Sequence, residues 1–303
     1  MKFISFQING RASYGLARGN GIVDLGTRLA GFAPTLKALI ATGRMQQLAS
    51  PHADAVADFQ RADVDLLPPI PQPSVIACVG HNYEEHRLET QRDPTEHPSI
   101  FFRFPESLQA SGAPLIRPRE STQLDYEGEL AVIIGKGGRR IAEVDAWDHV
   151  AGLSCFNDGS VRDWQHHTRQ FGPGKNFAHT AGFGPCLVTP DELPDDRVVE
   201  LWTRVNGKVV QHATTDQMIF PIPRLIAYVS SFMTLSPGDV IVSGTPGGVG
   251  VKRTPQLWLE PGDVVEVEIS SVGLLSNPVL HEESATVASP RSDAQLAERR
   301  PLS

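Results

Sequence analysis

Leu124-Asp125-Tyr126-Glu127-Gly128-Glu129-Leu130-Ala131-Val132-Ile133-Ile134 is the stretch on which the reading of this chain turns. Its second half is an apolar, β-branched run closed by Gly135 and the turn-like Lys136-Gly137-Gly138, the pattern of a strand. Side chains alternate faces along a strand, so Asp125, Glu127 and Glu129 are expected on one face, neighbours roughly 6–7 Å apart. Carboxylates that close beside apolar sequence repel unless they are solvated, protonated or bridged by a cation. Two readings stand open here: a half-exposed edge strand with an acidic outer face, or part of a metal site. Gly128, between the glutamates, suggests room for close packing on the opposite face.

The bulk numbers narrow the classes. The chain has 303 residues, 40% hydrophobic and 20% charged, which suits one large or two modest domains with a buried core. Its formal net charge of −8 disfavours nucleic acid or an anionic membrane as partner. No apolar run approaches the roughly 18 residues of a membrane span, and Met1–Ile8 alternates too strictly for a signal peptide. Cys78, Cys155 and Cys186 lie far apart, which argues against a disulfide framework or a thiolate zinc site. A cytoplasmic protein is the expectation.

N-terminal to the acidic stretch, Lys2–Ile8, Ser13–Arg18 and Gly21–Leu25 read as a β-meander, with Asn9-Gly10 and Gly19-Asn20-Gly21 as its turns. Residues 34–48 read as a helix, and 53–63 as a second, weaker one. Leu67-Pro68-Pro69-Ile70-Pro71-Gln72-Pro73 can sustain neither helix nor central strand and makes a stiff connector. The domain boundary is placed there, giving a small N-terminal α/β domain (1–66), a linker (67–73) and a larger domain (74–288). The polar tail 289–303 is expected to be mobile.

Beyond the linker, Val75–Val79 is a short strand running into Gly80-His81-Asn82-Tyr83, followed by a helix to Thr90. His86 and Glu89 then sit at i and i+3 on one face, a hydrogen-bonding pair or an incidental surface pair. Asp158, in Asn157-Asp158-Gly159-Ser160, stands where a strand meets a turn, a common place for an Asx turn and for a metal ligand. Lys175 lies in a Gly/Pro-shaped loop, where a solvated lysine is the ordinary case. Glu200–Val205 and Lys208–Ala213 flank Asn206-Gly207, a strong hairpin signal. Residues 224–234 read as a helix, and Val240–Val242 and Val264–Ile269 as strands.

Several motifs fail on spacing. A zincin helix needs histidines four apart, and His81 and His86 stand five apart. The glycine-rich Ser243-Gly244-Thr245-Pro246-Gly247-Gly248-Val249-Gly250 lacks the Gly-Lys-Ser/Thr ending of a phosphate loop. Neither a dinucleotide fingerprint nor a Gly-x-Ser-x-Gly elbow occurs. Glu127, Glu129 and Asp158 remain, hard oxygen ligands that favour Mg²⁺ or Mn²⁺ over zinc.

From Cys78 to about Pro278 the chain resembles the fumarylacetoacetate hydrolase family. The matching motifs, in order, are Gly80-His81-Asn82-Tyr83 with His86 and Glu89; Asp125-Tyr126-Glu127-Gly128-Glu129-Leu130; Asn157-Asp158-Gly159-Ser160 with Arg162; Gly174-Lys175; Val205-Asn206-Gly207 with Gln211; and Gly238-Asp239-Val240-Ile241 running into Ser243–Gly250. The resemblance implies an α+β, mostly β fold, with a catalytic domain of coiled mixed β-sheets (a β-sandwich roll) behind a small N-terminal domain, usually homodimeric. It implies a divalent ion on Glu127, Glu129 and Asp158, with Asp125 outside the ligand set. It also implies a water-activating pair, His86 and Glu89, an active-site Lys175, and Arg162, Gln165 and Thr245 as substrate contacts.

Two departures stand out. His81 replaces the arginine of many relatives, and Arg103 replaces a lysine, offering a planar fork suited to a second carboxylate. His81, Arg103, Arg162 and His167 are therefore the candidates for the distal end of the substrate. The implied reaction is hydrolysis of a C–C bond in an acylpyruvate, diketo deoxy-sugar acids included, to pyruvate and a carboxylic acid. Oxaloacetate decarboxylation and isomerisation of a muconate-type oxo acid are alternatives, and a catalytically silent oxo-acid binder is a third.

Overall fold

A computed structural model of the chain describes residues 1–282. The tail read as mobile, 289–303, lies outside the described residues, as does the end of the second domain. Strands β1 (Lys2–Ile8), β2 (Arg11–Arg18), β3 (Gly21–Asp24), β4 (Phe59–Gln60) and β5 (Asp65–Leu67) come from the N-terminal segment. After the proline-rich run come β6 (Ile76–Gly80), β7 (Ser99–Arg103), β8 (Leu108–Ala110), β9 (Leu115–Arg117), β10 (Leu124–Asp125), β11 (Gly128–Ile134) and β12 (Val150–Asn157). They continue with β13 (Ser160–Val161), β14 (Ala181–Val188), β15 (Glu200–Val205), β16 (Lys208–Thr214), β17 (Val240–Val242), β18 (Val264–Ile269) and β19 (Gly273–His281).

The large mixed sheet runs β4-β3-β2-β1-β14-β12-β11-β17-β6-β7, with β5 beside β1 and β8 beside β14. A five-stranded sheet, β16-β15-β18-β19-β9, packs near it, and β10 pairs with β13 alone. The expected mostly β architecture of mixed sheets is what the chain adopts. The N-terminal strands continue the large sheet, because Lys2 and Phe3 pair with Val188 and Leu187. One hydrophobic cluster joins Phe3, Tyr14, Leu36 and Leu39 to Ile76, Ala131, Ile133 and Val240. The linker therefore runs over a shared core.

The decisive stretch is central, which removes the edge-strand reading. β11 lies between β12 and β17, antiparallel to both. Leu130, Val132 and Ile134 enter one core cluster and Ala131 and Ile133 the other, so both faces are buried. The expected single strand is broken, however, at Tyr126-Glu127 between β10 and β11. There Asp125 Oδ1 accepts from Tyr126 N (2.8 Å), and Asn157 Oδ1 accepts from Glu127 N (2.9 Å). Side-chain acceptors replace the ladder for two residues, so Asp125 escapes the strand parity that would place it with the glutamates.

Gly128 has the close neighbour its position suggested. A Cβ there would lie 1.9 Å from Thr203 Oγ1 on β15. Gly128→Ala is expected to cost about 1–3 kcal/mol by overpacking, most of it recovered in the double variant with Thr203→Ala. Chemical denaturation of the three proteins checks this, and a Gly128→Ala protein as stable as the parent removes the packing argument.

Elsewhere the differences have local causes. The helix expected over 34–48 is two, Leu36–Ala41 and Met45–Ala49, divided at Gly43 with φ +66°. The weak helix over 53–63 is absent. β4 stands there, with Phe59 edge-on to Phe6 at 6.0 Å, followed by a 3₁₀ turn at Arg61–Asp63. Asn206 (φ +53°) and Gly207 (φ +76°) form the expected tight hairpin. All three cysteines are buried and unpaired. Among the described residues no helix is long and apolar enough to cross a membrane.

Candidate metal centre

Sheet register brings the distant aspartate to the glutamates. In the β11–β12 ladder Gly128 faces Asn157, so Asp158 falls one step beyond, opposite Glu127, and its N–H donates to Glu127 O at 2.8 Å. Ligand atoms of Glu127, Glu129 and Asp158 then lie within 4.8 Å of one another, all three residues buried.

The buried cations around them are unevenly shared. Lys175 Nζ donates to Glu127 Oε2 (2.6 Å) and Asp158 Oδ2 (2.5 Å). Arg103 Nη1 donates to the other oxygen of Asp158 (2.5 Å). Arg162 Nε donates to Asp125 Oδ2 (2.8 Å), while its Nη2 lies 2.7 Å from Glu127 Oε1 without hydrogen-bond alignment. Among the described residues Glu129 has only the Gly244 N–H, at 2.6 Å, on one oxygen. Four buried carboxylates thus face three buried cations, and the surplus negative charge rests on Glu129.

The titration shifts follow this division. Burial pushes Glu127 up, but Arg162 and Lys175 outweigh it and hold the carboxyl far below its usual range. Burial, then Asp158 and Glu127, push Glu129 well above its usual range. For Lys175, burial favours the neutral amine, and Asp158 and Glu127 overcome that and keep the ammonium. Three hard oxygen donors with one unneutralised charge fit a divalent ion of the Mg²⁺ or Mn²⁺ kind. Such an ion would turn the local surplus from one negative to one positive, a match for an anionic ligand.

The glycine-rich segment 243–250 also gains an explanation. Gly244 N donates to Glu129, Gly248 N to Glu89 (3.0 Å), and Gly250 N and Val251 N to Asp125 (2.8 and 2.9 Å). It works as an anion-binding loop whose anions are the protein's own carboxylates. Gly248, at φ +100°, could carry no side chain, since a Cβ would lie 2.3 Å from Val210 O.

On the helix Glu84–Glu89, His86 Nδ1 meets Glu89 Oε1 at 2.7 Å. Burial raises the Glu89 carboxyl, but the hydrogen bonds from His86 and Gly248 outweigh it and hold it low. His81 stacks on His86 with ring centroids 5.1 Å apart, and burial, then His86, lowers its pKa to about 4.

A cavity of about 290 Å³ opens over this centre, lined by His81, His86, Glu127, Glu129, Arg162, Gln165, Lys175 and Thr245. Four sequence candidates are not among its lining residues: Glu89 and Asp158, which bond to residues that are, and Arg103 and His167. Arg103 stands behind Asp158 and also donates to Gly159 O (3.1 Å) and Thr180 Oγ1 (3.0 Å), so its guanidinium is taken up by protein groups away from the cavity lining. His167 is exposed and packs on Trp164 at 4.8 Å. The sequence missed Arg92, His166, Phe171 and Lys252, which line the outer part of the cavity. Arg92 and Lys252 lie in a charged loop and past the glycines, where no pattern marks them.

A histidine–carboxylate pair beside a buried cluster of three carboxylates that could hold a metal ion is the arrangement of a metal-dependent enzyme. Residues 75–280 match the family described as fumarylacetoacetate (FAA) hydrolase C-terminal, and the chain belongs to that family. It is 38% identical to the mitochondrial oxaloacetate tautomerase FAHD2A of Bos taurus, over 92% of each chain. It is 42% identical to the oxaloacetate tautomerase YisK of Bacillus subtilis, over 73% of this chain and 75% of that one. Among solved structures it resembles maleylpyruvate hydrolase from Sphingobium sp. SYK-6, in complex with manganese(II) and pyruvate (TM-score 0.78, 28% identity, 93% and 99% of the two chains).

Proposed function

We propose that this protein interconverts the enol and keto forms of a short 2-oxo dicarboxylate of the oxaloacetate class. The observation that carries the reading is His86 sharing one small cavity with Glu127 and Glu129, its Nδ1 held by Glu89 at 2.7 Å. With Nδ1–H donated to that carboxylate, Nε2 is the ring atom left for proton transfer. His86 takes the enol hydroxyl proton at Nε2 and returns a proton from the same nitrogen to C3, so one proton moves from oxygen to carbon and nothing is oxidised. A divalent ion on Glu127, Glu129 and Asp158 would supply Lewis-acid charge beside the 2-oxo carboxylate. Lys175 holds Glu127 and Asp158 together, while Arg162 and Gln165, joined at 2.9 Å, present donors to the substrate's carboxylate. Arg92 and Lys252 at the mouth suit a second carboxylate. The tautomerase relatives support this order of preference over hydrolysis.

Hydrolysis of an acylpyruvate is the second reading, favoured by the same His86–Glu89 pair. Water deprotonated by His86 adds to the C4 carbonyl, the C3–C4 bond breaks, and C3 is reprotonated to give pyruvate and a carboxylic acid. The test is one preparation with Mn²⁺, assayed for decay of oxaloacetate enol absorbance and for pyruvate release from acylpyruvates. Faster enol decay without pyruvate release is the expected result. A protein that binds Mn²⁺ and oxalate but turns over neither substrate sinks both readings. In the double variant Arg92→Ala/Lys252→Ala, KM for a dicarboxylate is expected to rise about tenfold or more with kcat nearly unchanged. An unchanged KM removes these two residues from recognition.

A further inference from the structure

Lys175 is fully buried, yet its four-residue helix, Gly172–Lys175, is too short to hold a position by itself. Two neighbours fix it. On one side Gly174 packs against the helix Arg162–Gln165 so closely that a Cβ would lie 2.4 Å from Gln165 N. On the other, the Asn176 side chain makes three hydrogen bonds. Its Oδ1 accepts from Phe104 N at 2.7 Å, and its Nδ2 donates to Phe102 O at 3.2 Å and Gly172 O at 3.0 Å. A backbone N–H can only donate, so the Phe104 contact fixes which amide atom is oxygen and turns the nitrogen to the two carbonyls.

Phe102 and Phe104 flank Arg103, which holds Asp158 from behind while Lys175 holds it from the front. Edge strand β7 would otherwise present these backbone groups to solvent or to another chain, and the Asn176 amide imitates the missing strand.

We infer that Asn176 is the positioning residue that sets Lys175 against Asp158, by clipping the lysine's helix to the strand that carries Arg103. The inference rests on the proposed reaction only in taking Lys175 to work at the metal centre. Asn176→Asp keeps the acceptor for Phe104 N but turns an oxygen toward two carbonyl oxygens, so it is more disruptive than Asn176→Ala.

The experiment measures acetylation of Lys175 in the folded protein by mass spectrometry, with kcat, KM and melting temperature for each variant. In Asn176→Asp, Lys175 is expected to be acetylated at least about tenfold faster, and kcat to fall by about a hundredfold with KM within about threefold. Asn176→Ala shows the same changes to a smaller degree and serves alone if the Asp variant does not fold. Phe102→Ala, which alters an exposed side chain on the same strand, leaves both quantities at the parent level. A lower melting temperature with Lys175 as protected as in the parent overturns the inference, because that is what a general structural role produces. Faster acetylation with unchanged turnover upholds the clip and instead removes Lys175 from the proposed reaction.

Discussion

Glu129→Gln is expected to lower Mn²⁺ affinity by at least about a hundredfold while leaving the metal-free protein at least as stable as the parent at neutral pH. The two effects diverge because Glu129 is the one carboxylate of the triad without a cationic partner among the described residues. Its pKa is raised in the fold, so between the unfolded value near 4.5 and the raised one only the native state holds the proton. Stability of the metal-free protein therefore falls as pH rises through that window, by at most about 1.4 kcal/mol per pH unit from this group. Glutamine removes that slope, and saturating Mn²⁺ should remove it from the parent. Asp158→Asn is the contrast: it strips Arg103 and Lys175 of a shared buried partner and is expected to cost about 3–5 kcal/mol even without metal. Melting curves in chelator from about pH 5 to pH 8, with calorimetric Mn²⁺ titrations, decide it. If Glu129→Gln destabilises as much as Asp158→Asn, the surplus charge does not sit at Glu129.

Much of this arrangement was legible in the chain, and the illegible part has physical causes. The apolar run after Glu129 announced a strand, and strand parity put Glu127 and Glu129 together correctly. The same parity failed for Asp125, because Tyr126 and Glu127 leave the ladder for side-chain acceptors. Asp125 instead anchors the glycine loop at Gly250 and Val251 and steers Arg162. Joining Asp158 to the glutamates needed the β11–β12 register, a pairing across some thirty residues that no local pattern encodes. Arg103 carried the right charge for a substrate contact, but only burial shows it consumed by Asp158. β14 and β19 went unread because Gly182, Gly184, Pro185 and Pro278 interrupt their patterns, and neighbouring strands hold them in place regardless. The rejected phosphate loop shows the converse. Its glycines do expose backbone N–H groups to anions, and only the owner of those anions was unforeseen.

His86→Ala separates the possible reactions by which of them need a base. In the proposed mechanisms enol–keto interconversion and acylpyruvate hydrolysis both pass a proton through His86 Nε2, so each is expected to fall by about 10²–10⁴-fold in kcat, with Mn²⁺ affinity unchanged. Loss of carbon dioxide from oxaloacetate needs neither an attacking water nor removal of a carbon-bound proton, so any decarboxylase activity should survive the substitution. Glu89→Gln gives the matching test of orientation. The carboxylate now accepts from His86 on Oε1 and from Gly248 N on Oε2, and an amide has one oxygen for two donors. Either the imidazole loses its acceptor or the Gly248 N–H meets another donor, so kcat should fall, though by less than in His86→Ala. Because Glu89 is held ionised below its usual range, any activity limb that belongs to it lies below about pH 4.5. Added imidazole should restore part of the activity of His86→Ala and none of that of Glu89→Gln, since only the first leaves a space the reagent can fill. Full tautomerase activity in His86→Ala would remove the proton-transfer role, and the function would then rest on the carboxylate triad alone.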